Sequence, residues 1–382
     1  MFFAVLLAAC RPPATAVSEP SLQVRFRPDP EPTGDAAELV LRVPEATWDE
    51  GLARATSLLV RSSGDRSAHM SVEATAAAQA IAGYPGQGAF AKEVNGGGFP
   101  SALAEQFTSY ALLTEQPVDV GLARRDYGDG LTLWVGAVAR RPLLVDPMPR
   151  DIGLDEPLAV KLETDRKDLL LFVAPPMQPV RVYEPQGHVA LWLDIFHVPG
   201  TYTFEVVDPQ EGQVLLLWDQ FVETAPAMPT LEPLVEAIPD PMQATDALYE
   251  ALNALRSEIG LAPVTRFENF EPLAREHAAL MAHHGQVAHV LPGLAPGVPA
   301  RAAQDFVPMA RHHEDIAAAY SWEEALEHVK RSPGHLRNLL CESCTHASIG
   351  VALEPVLDRR PRLFVVWELL EFPSGLPERK PW

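Results

Sequence analysis

The chain has 382 residues, too many for one ordinary hydrophobic core, and 47% hydrophobic with 21% charged residues is the composition of a globular protein of two or three domains. Its formal net charge of −21 argues against the clustered Lys and Arg surface that a phosphate backbone requires, so nucleic acid is not an expected partner. No apolar run approaches the roughly 18 residues of a membrane-spanning helix, and no span is expected inside the mature chain.

Residues 1–10 are a short apolar run that closes on Leu7-Ala8-Ala9-Cys10. The segment resembles a bacterial lipobox, in which the Cys is acylated and becomes the mature N-terminus, with polar, Pro-rich chain beyond it. No Lys or Arg precedes the run, and its shortness points to a start further upstream. The alternative is an apolar N-terminus with an incidental Cys. Arg11 stands where Asp would favour retention at the inner membrane, so the expected location is the outer membrane, with the membrane contacted through lipid on Cys10. A secreted protein is the other outcome. Residues 11–46 hold Pro12, Pro13, Pro20, Pro28, Pro30 and Pro32 and read as a semi-extended tether.

Residues 47–141 begin with helical periodicity: Leu52, Ala55 and Leu59, then Ala74, Ala77, Ala78 and Ile81, with Gly64 and Gly83 as stops. Ser101–Tyr110 reads as another helix. Val118–Ala123 and Leu131–Val135, joined across Asp129-Gly130, read as a β-hairpin. Gly86-x-Gly88-x-x-Ala91 imitates a dinucleotide fingerprint, but an Ala-rich helical stretch and Pro85 precede it instead of a buried strand. Neither a Gly-x-Ser-x-Gly elbow nor a Walker loop occurs.

Residues 142–225 alternate short apolar runs with Pro, Gly and Asp breaks, the pattern of a small β-sandwich: 158–162, 169–173, 189–196, 201–207 and 214–218. With no convergent polar cluster in it, the expected role is a spacer or packing platform. Residues 226–244 contain Pro226, Pro229, Pro233, Pro239 and Pro241 and read as a linker. The last domain is placed at 245–373.

That domain opens with Leu248, Leu252 and Leu255 at helical spacing. The order Leu252-Asn253-x-x-Arg256, Gly260-Leu261-x-Pro263 and Leu273-Ala274-x-x-His277-Ala278-x-x-Met281 resembles the N-terminal half of bacterial CAP domains, the module of cysteine-rich secretory, antigen 5 and pathogenesis-related proteins. Ala288-His289, Arg301, Glu314-Asp315-Ile316-Ala317 and Ser332-Pro333-Gly334-His335-x-x-Asn338 continue the match, and Ile349–Ala352 with Leu363–Trp367 resemble its closing hairpin. The resemblance implies an α/β/α sandwich at the end of an α+β multidomain chain. It also implies a cleft lined by His289, Glu314 and His335, suited either to a transition metal such as zinc or to a metal-free hydrogen-bonded group. Two departures bear on that choice: the family's Asn after the Glu is Asp315, and its second acidic position falls near Ser332.

His277 and His284 share a helical stripe with Leu273 and Leu280 and read as core histidines with partners. His312-His313-Glu314 is not a zincin motif, because the second His it needs is Ala317. Cys341 and Cys344 lie between a helix and a strand and are expected to form a short-loop disulfide, with a redox or metal role or free thiols as alternatives. Val120–Ala123 and Leu131–Val135 echo Ile349–Ala352 and Leu363–Trp367. Residues 48–141 are thus either a degenerate CAP-like copy, with His69 as their only His, or a generic helix-then-hairpin segment.

The functional expectation is a lipid-anchored envelope protein whose CAP domain binds a lipid, carbohydrate or protein ligand. A metal-dependent hydrolase, with His289 and His335 holding zinc and Glu314 as general base, is the alternative. A structural envelope protein is the third.

Overall fold

Three folded units follow one another in the computed structural model, which describes residues 23–24, 32–114, 116–140, 143–145, 148–164, 166, 168–184, 191–210, 213–231, 238–291, 311–356 and 360–372. Cys10, the prolines of 11–31 and Arg301 lie outside the described residues.

After β1 (Gln23–Val24), the first unit runs α1 (Asp35–Arg42), β2 (Ala46–Trp48), α2 (Glu50–Ser62), α3 (Val72–Ala82), β3 (Gly88–Asn95), α4 (Ser101–Thr114), β4 (Val118–Asp126) and β5 (Thr132–Arg140). Asp49 caps α2 by accepting from Leu52 N, Ser71 caps α3 by accepting from Ala74 N, and Gly83 ends α3 at φ 75°. The unit begins before the expected Thr47, inside the segment read as a tether. The reason is apolar burial: Leu39 and Val43 are buried with Trp48, Phe107 and Val120 in one core. Strand β3 is absent from the expected elements.

The second unit contains β6 (Leu144–Val145), β7 (Met148–Pro149), β8 (Asp151–Ile152), β9 (Leu158–Val160), β10 (Leu162–Glu163), β11 (Leu170–Ala174), β12 (Arg181–Tyr183), β13 (Leu191–Leu193), β14 (Gly200–Asp208) and β15 (Gln213–Val222). A five-stranded sheet of order β12-β11-β14-β15-β8 shares its core with the β13-β9 ribbon through Val160, Leu193, Val173 and Phe204. Cross-strand partners Phe204 and Trp218 stack with ring centroids 5.0 Å apart.

The third unit starts at Pro241, four residues ahead of the expected boundary, because Asp240 caps the first helix by accepting from Met242 N and Gln243 N. It runs α5 (Pro241–Glu258), β16 (Thr265–Arg266), α6 (Glu271–His284), β17 (Arg311–Ala319), α7 (Trp322–Lys330), α8 (Pro333–Leu339), β18 (His346–Leu353) and β19 (Leu363–Glu371). Alternate residues of β19 face opposite ways: Phe364 and Val366 pack with Ala274, Ala278 and Met281 of α6, while Val365, Trp367 and Leu369 pack with Leu248, Leu252 and Val329 of α5 and α7. This is the expected α/β/α sandwich. The linker is partly embedded as well, since Leu231 is buried against the first unit and bridges to Ser63.

The sheets of the first and third units have the same order and sense. In β2-β4-β5-β3 and in β16-β18-β19-β17 the first strand runs parallel to the third, the third and fourth form a hairpin, and the second pairs antiparallel with the fourth. In both, a helix crosses the third strand where that strand has glycine. A Cβ on Gly121 would stand 2.5 Å from the Leu52 carbonyl carbon of α2, and one on Gly350 would stand 2.1 Å from that of Ala274 on α6.

That contact yields a test. Gly350→Ala should destabilise the chain by about 1–3 kcal/mol or more through overpacking against backbone, whereas Gly64→Ala, with open space around it, should stay within about 0.5 kcal/mol. Urea unfolding of both variants checks the difference.

Candidate functional site

Glu314 stands on β17, an edge strand, directly opposite Glu368 of β19, on the face that α6 covers. Residues Ala274, His277, Ala278 and Met281 form the buried stripe of α6, so His277 is carried onto the sheet above Glu314. Its Nδ1–H donates to Glu314 Oε2 at 3.0 Å, and its Nε2–H donates to the Ala288 carbonyl at 3.0 Å. That second bond fixes the segment that presents His289, whose Nδ1–H donates to Glu314 Oε1 at 2.7 Å. One carboxylate therefore accepts from two imidazoles, one buried and one half exposed.

Both His277 nitrogens face oxygens that only accept, so the geometry is satisfied when both carry hydrogen. Burial pushes the Glu314 carboxyl up, but the hydrogen bonds from His277 and His289 and the charge of those rings outweigh it and hold the group at about 2. Glu368, fully buried beside it, is pushed the other way by burial and by the charge of Glu314. Its Oε2 meets His312 Nε2, and its Oε1 meets no donor among the described residues.

Alternation along β17 turns Asp315 to the opposite face, where it accepts from Asn338 Nδ2 of α8 at 2.9 Å. Its Oδ2 has no partner among the described residues, and burial pushes this carboxyl well up. The start of α8 is the Ser-Pro-Gly-His sequence, with Ser332 as its cap. There the sandwich intervenes: Glu205 of β14, fully buried, accepts from Ser332 Oγ at 2.7 Å and from Gly334 N at 2.6 Å. A carboxylate of another unit thus caps the start of α8. Asp219 of β15 also pairs with Arg331 at 3.0 Å, so the sandwich packs on the third unit, as the platform alternative has it. The first unit joins through His69, bonded to Glu324.

His335 projects from α8 into a chamber of about 490 Å³ where the three units meet. Val72 and Ala76 of α3, Leu217 of β15, and Ile316 and Ala318 of β17 line it. Burial, then the charge of His289, lowers His335 to about 4, so it is neutral near pH 7.

The structure thus bonds His289 to Glu314 and sets His335 within electrostatic reach of His289. Among the described residues these three do not form a cluster whose donor atoms all lie within 4.8 Å of one another. Each Glu314 oxygen accepts from one imidazole, Oε2 from His277 and Oε1 from His289. His277 is a satisfied histidine as expected, yet its partner is the site itself, and His284 is exposed instead of lying on the core stripe. Sequence reasoning missed Glu205 and Glu368. A buried acid in the apolar run 363–370 was a signal for Glu368; a residue 130 positions before His335 offered none.

Two carboxyls on neighbouring positions should respond to pH with opposite sign. Asp315 is raised, so the stability associated with it is complete below its ordinary 3.8 and is lost as pH rises through the folded value. Asp315→Asn should therefore stabilise the protein by about 1–3 kcal/mol near neutrality and converge with wild type in acid. Glu314 is depressed, and its contribution is complete above 4.5 and lost as pH falls through about 2. Glu314→Gln should destabilise near neutrality, with the difference closing towards pH 2. Unfolding midpoints across that range check both.

Residues 249–366 match the model of the CAP family, described as the cysteine-rich secretory protein family. A comparison with curated proteins returns no match. Among solved structures, an outer surface protein from Borrelia burgdorferi is 20% identical with a TM-score of 0.30, the match covering 35% of this chain and 96% of that one. An extracellular protein containing an SCP domain from Bacillus anthracis is 18% identical with a TM-score of 0.29, covering 46% of this chain and 59% of that one. A cysteine-rich secretory protein from Staphylococcus aureus is 14% identical with a TM-score of 0.28, covering 45% of this chain and 56% of that one. The chain thus spans little more than half the length of the last two. By the family match, residues 249–366, which carry His277, His289, Glu314 and His335, form a CAP domain of the cysteine-rich secretory protein family.

Proposed function

We propose that this chain is a cell-envelope binding protein whose CAP domain captures a small uncharged ligand in the chamber between the three units, without turning it over. The observation that carries the reading is Glu314, whose two oxygens are both consumed by imidazole N–H groups. Held near 2, it is a poor proton acceptor at neutral pH. A zinc hydrolase would need the reverse: a carboxylate oxygen free for water, and two imidazoles converging on one ion.

The chamber supports the ligand class. Its volume lies within the roughly 300–1,000 Å³ of small-molecule sites, and aliphatic residues such as Val72, Leu217 and Ile316 share its walls with Gln79, Gln87 and His328. The two arginines on its wall are paired, Arg331 with Asp219 and Arg362 with Glu354, and His335 is neutral near pH 7. An apolar body with one hydrogen-bonding group fits these walls. In this reading the first unit is a CAP-like copy that brings no histidine to the cleft and serves as a wall.

The test uses protein purified without added metal and native mass spectrometry against envelope lipid extract and peptidoglycan fragments. Ala318→Trp, which fills the chamber, and His335→Ala should each reduce ligand retention about tenfold, and excess Zn²⁺ should not restore it. Zinc-dependent cleavage of a peptide or cell-wall substrate that disappears in His335→Ala would overturn the reading.

Attachment through acylated Cys10 belongs to the same proposal. It is supported by the apolar run and small residues ahead of that Cys and by a Cys341–Cys344 disulfide suited to an oxidising compartment. Cys10→Ser should move the protein from the membrane fraction to the soluble one. Sedimentation of the variant with membranes after a salt wash counts against the anchor.

A further inference from the structure

His313 lies next to Glu314 on β17, but strand alternation points it to the other face of the sheet, where the Cys341–Cys344 loop joins α8 to β18. One ring nitrogen of His313 and the two sulfurs all lie within 4.8 Å of one another. Ligands of a tetrahedral zinc stand about 3.6–3.8 Å apart, from Zn–S near 2.3 Å and Zn–N near 2.1 Å, and Cys-x-x-Cys is a recurrent spacing in such sites. The sulfurs are joined in a disulfide in this structure.

The loop is held by bonds that do not involve sulfur. Arg256, almost wholly buried, donates from Nη1 to the Leu339 and Cys341 carbonyls at 2.9 and 3.0 Å and from Nη2 to the Cys344 carbonyl at 3.4 Å. Opening the disulfide therefore leaves both sulfurs beside His313. The guanidinium also brings a positive charge to the loop that carries the two sulfurs. The pair follows the C-terminal end of α8, where the helix dipole opposes thiolates, unlike the helix N-terminal position of thiol–disulfide oxidoreductases. A bound cation would provide the missing stabilisation, since a coordinating thiol is deprotonated outright.

We propose that Cys341, Cys344 and His313 form a redox-gated site for one thiophilic divalent cation such as Zn²⁺, closed as the disulfide and opened by a dithiol reductant. The dithiol supplies two electrons and two protons and closes to its own disulfide, while the Cys341–Cys344 S–S bond breaks to two thiols. Binding of the cation then releases the two thiol protons to solvent. The site lies on the opposite face of the sheet from Glu314 and is independent of the ligand chamber.

The experiment uses the full chain with Cys10→Ser, so that thiolate signals come from this pair alone. The protein is reduced with dithiothreitol, freed of it anaerobically and titrated with Co²⁺. One equivalent should bind, with thiolate-to-cobalt charge transfer in the near ultraviolet and the visible bands of a tetrahedral site, and Zn²⁺ should displace it. The oxidised protein should show neither signal. Cys344→Ser should lose the spectrum, and His313→Ala should keep charge transfer while weakening affinity by more than the roughly 10–100-fold typical of outer-shell partners. Circular dichroism of each variant and of the reduced protein establishes that the fold persists. Reduced, folded protein without charge transfer, or His313→Ala binding Co²⁺ as the parent does, overturns the proposal.

Discussion

A single carboxylate holds three pieces of chain in place. Glu314 accepts from His277, which ties β17 to α6, and from His289, which ties it to the segment leaving α6. His277 in turn holds the Ala288 carbonyl, so the half-exposed ring of His289 is presented from a buried support. The cost of placing Glu314 at the sheet is offset by these two charged-group hydrogen bonds, each of the kind that contributes about 1.5–3 kcal/mol. Around it, Glu368 and Asp315 do not ionise with the same ease, because burial, joined by the charge of Glu314, outweighs the hydrogen bond that each accepts.

The second constraint is the junction between units. Glu205 fastens the start of α8 to the sandwich, Asp219 takes Arg331, and Glu324 takes His69 of the first unit. Glu205 thus holds the start of the helix that carries His335, and the other two contacts hold α7 and the residue that follows it; residues of all three units line the chamber. At the start of α8 a carboxylate from β14 takes the N–H of Gly334 and the hydroxyl of Ser332, satisfying one of the helix's first N–H groups.

The two mixed units share one architectural rule. A helix lies across the third strand at a glycine, Gly121 in one and Gly350 in the other, close enough that a Cβ would meet helix backbone. The third unit alone adds histidines around that scaffold. Its second face, where Arg256 binds three carbonyls of the Cys341–Cys344 region, is built independently of the first, and alternation along β17 assigns Glu314 to one face and His313 to the other.

Periodicity and turn chemistry are local, and they made much of the fold legible. The α2 and α3 stripes, the hairpin around Asp129-Gly130, the strands of residues 142–225 and the ordered CAP motifs all rest on residues near one another in sequence. The motifs also nominated His289, Glu314 and His335. What stayed hidden depended on contacts between distant segments. Burial of Leu39 and Val43 moved the first unit's start, since short apolar stretches declare themselves only against a partner surface. Glu205 could not be recognised because its partners lie more than 125 residues away in another unit, and nothing in the 200–208 strand distinguishes a buried capping acid from a solvated one. That Glu314 accepts from both His277 and His289 also belonged to the tertiary structure, because residue types alone do not say which imidazole reaches which carboxylate oxygen.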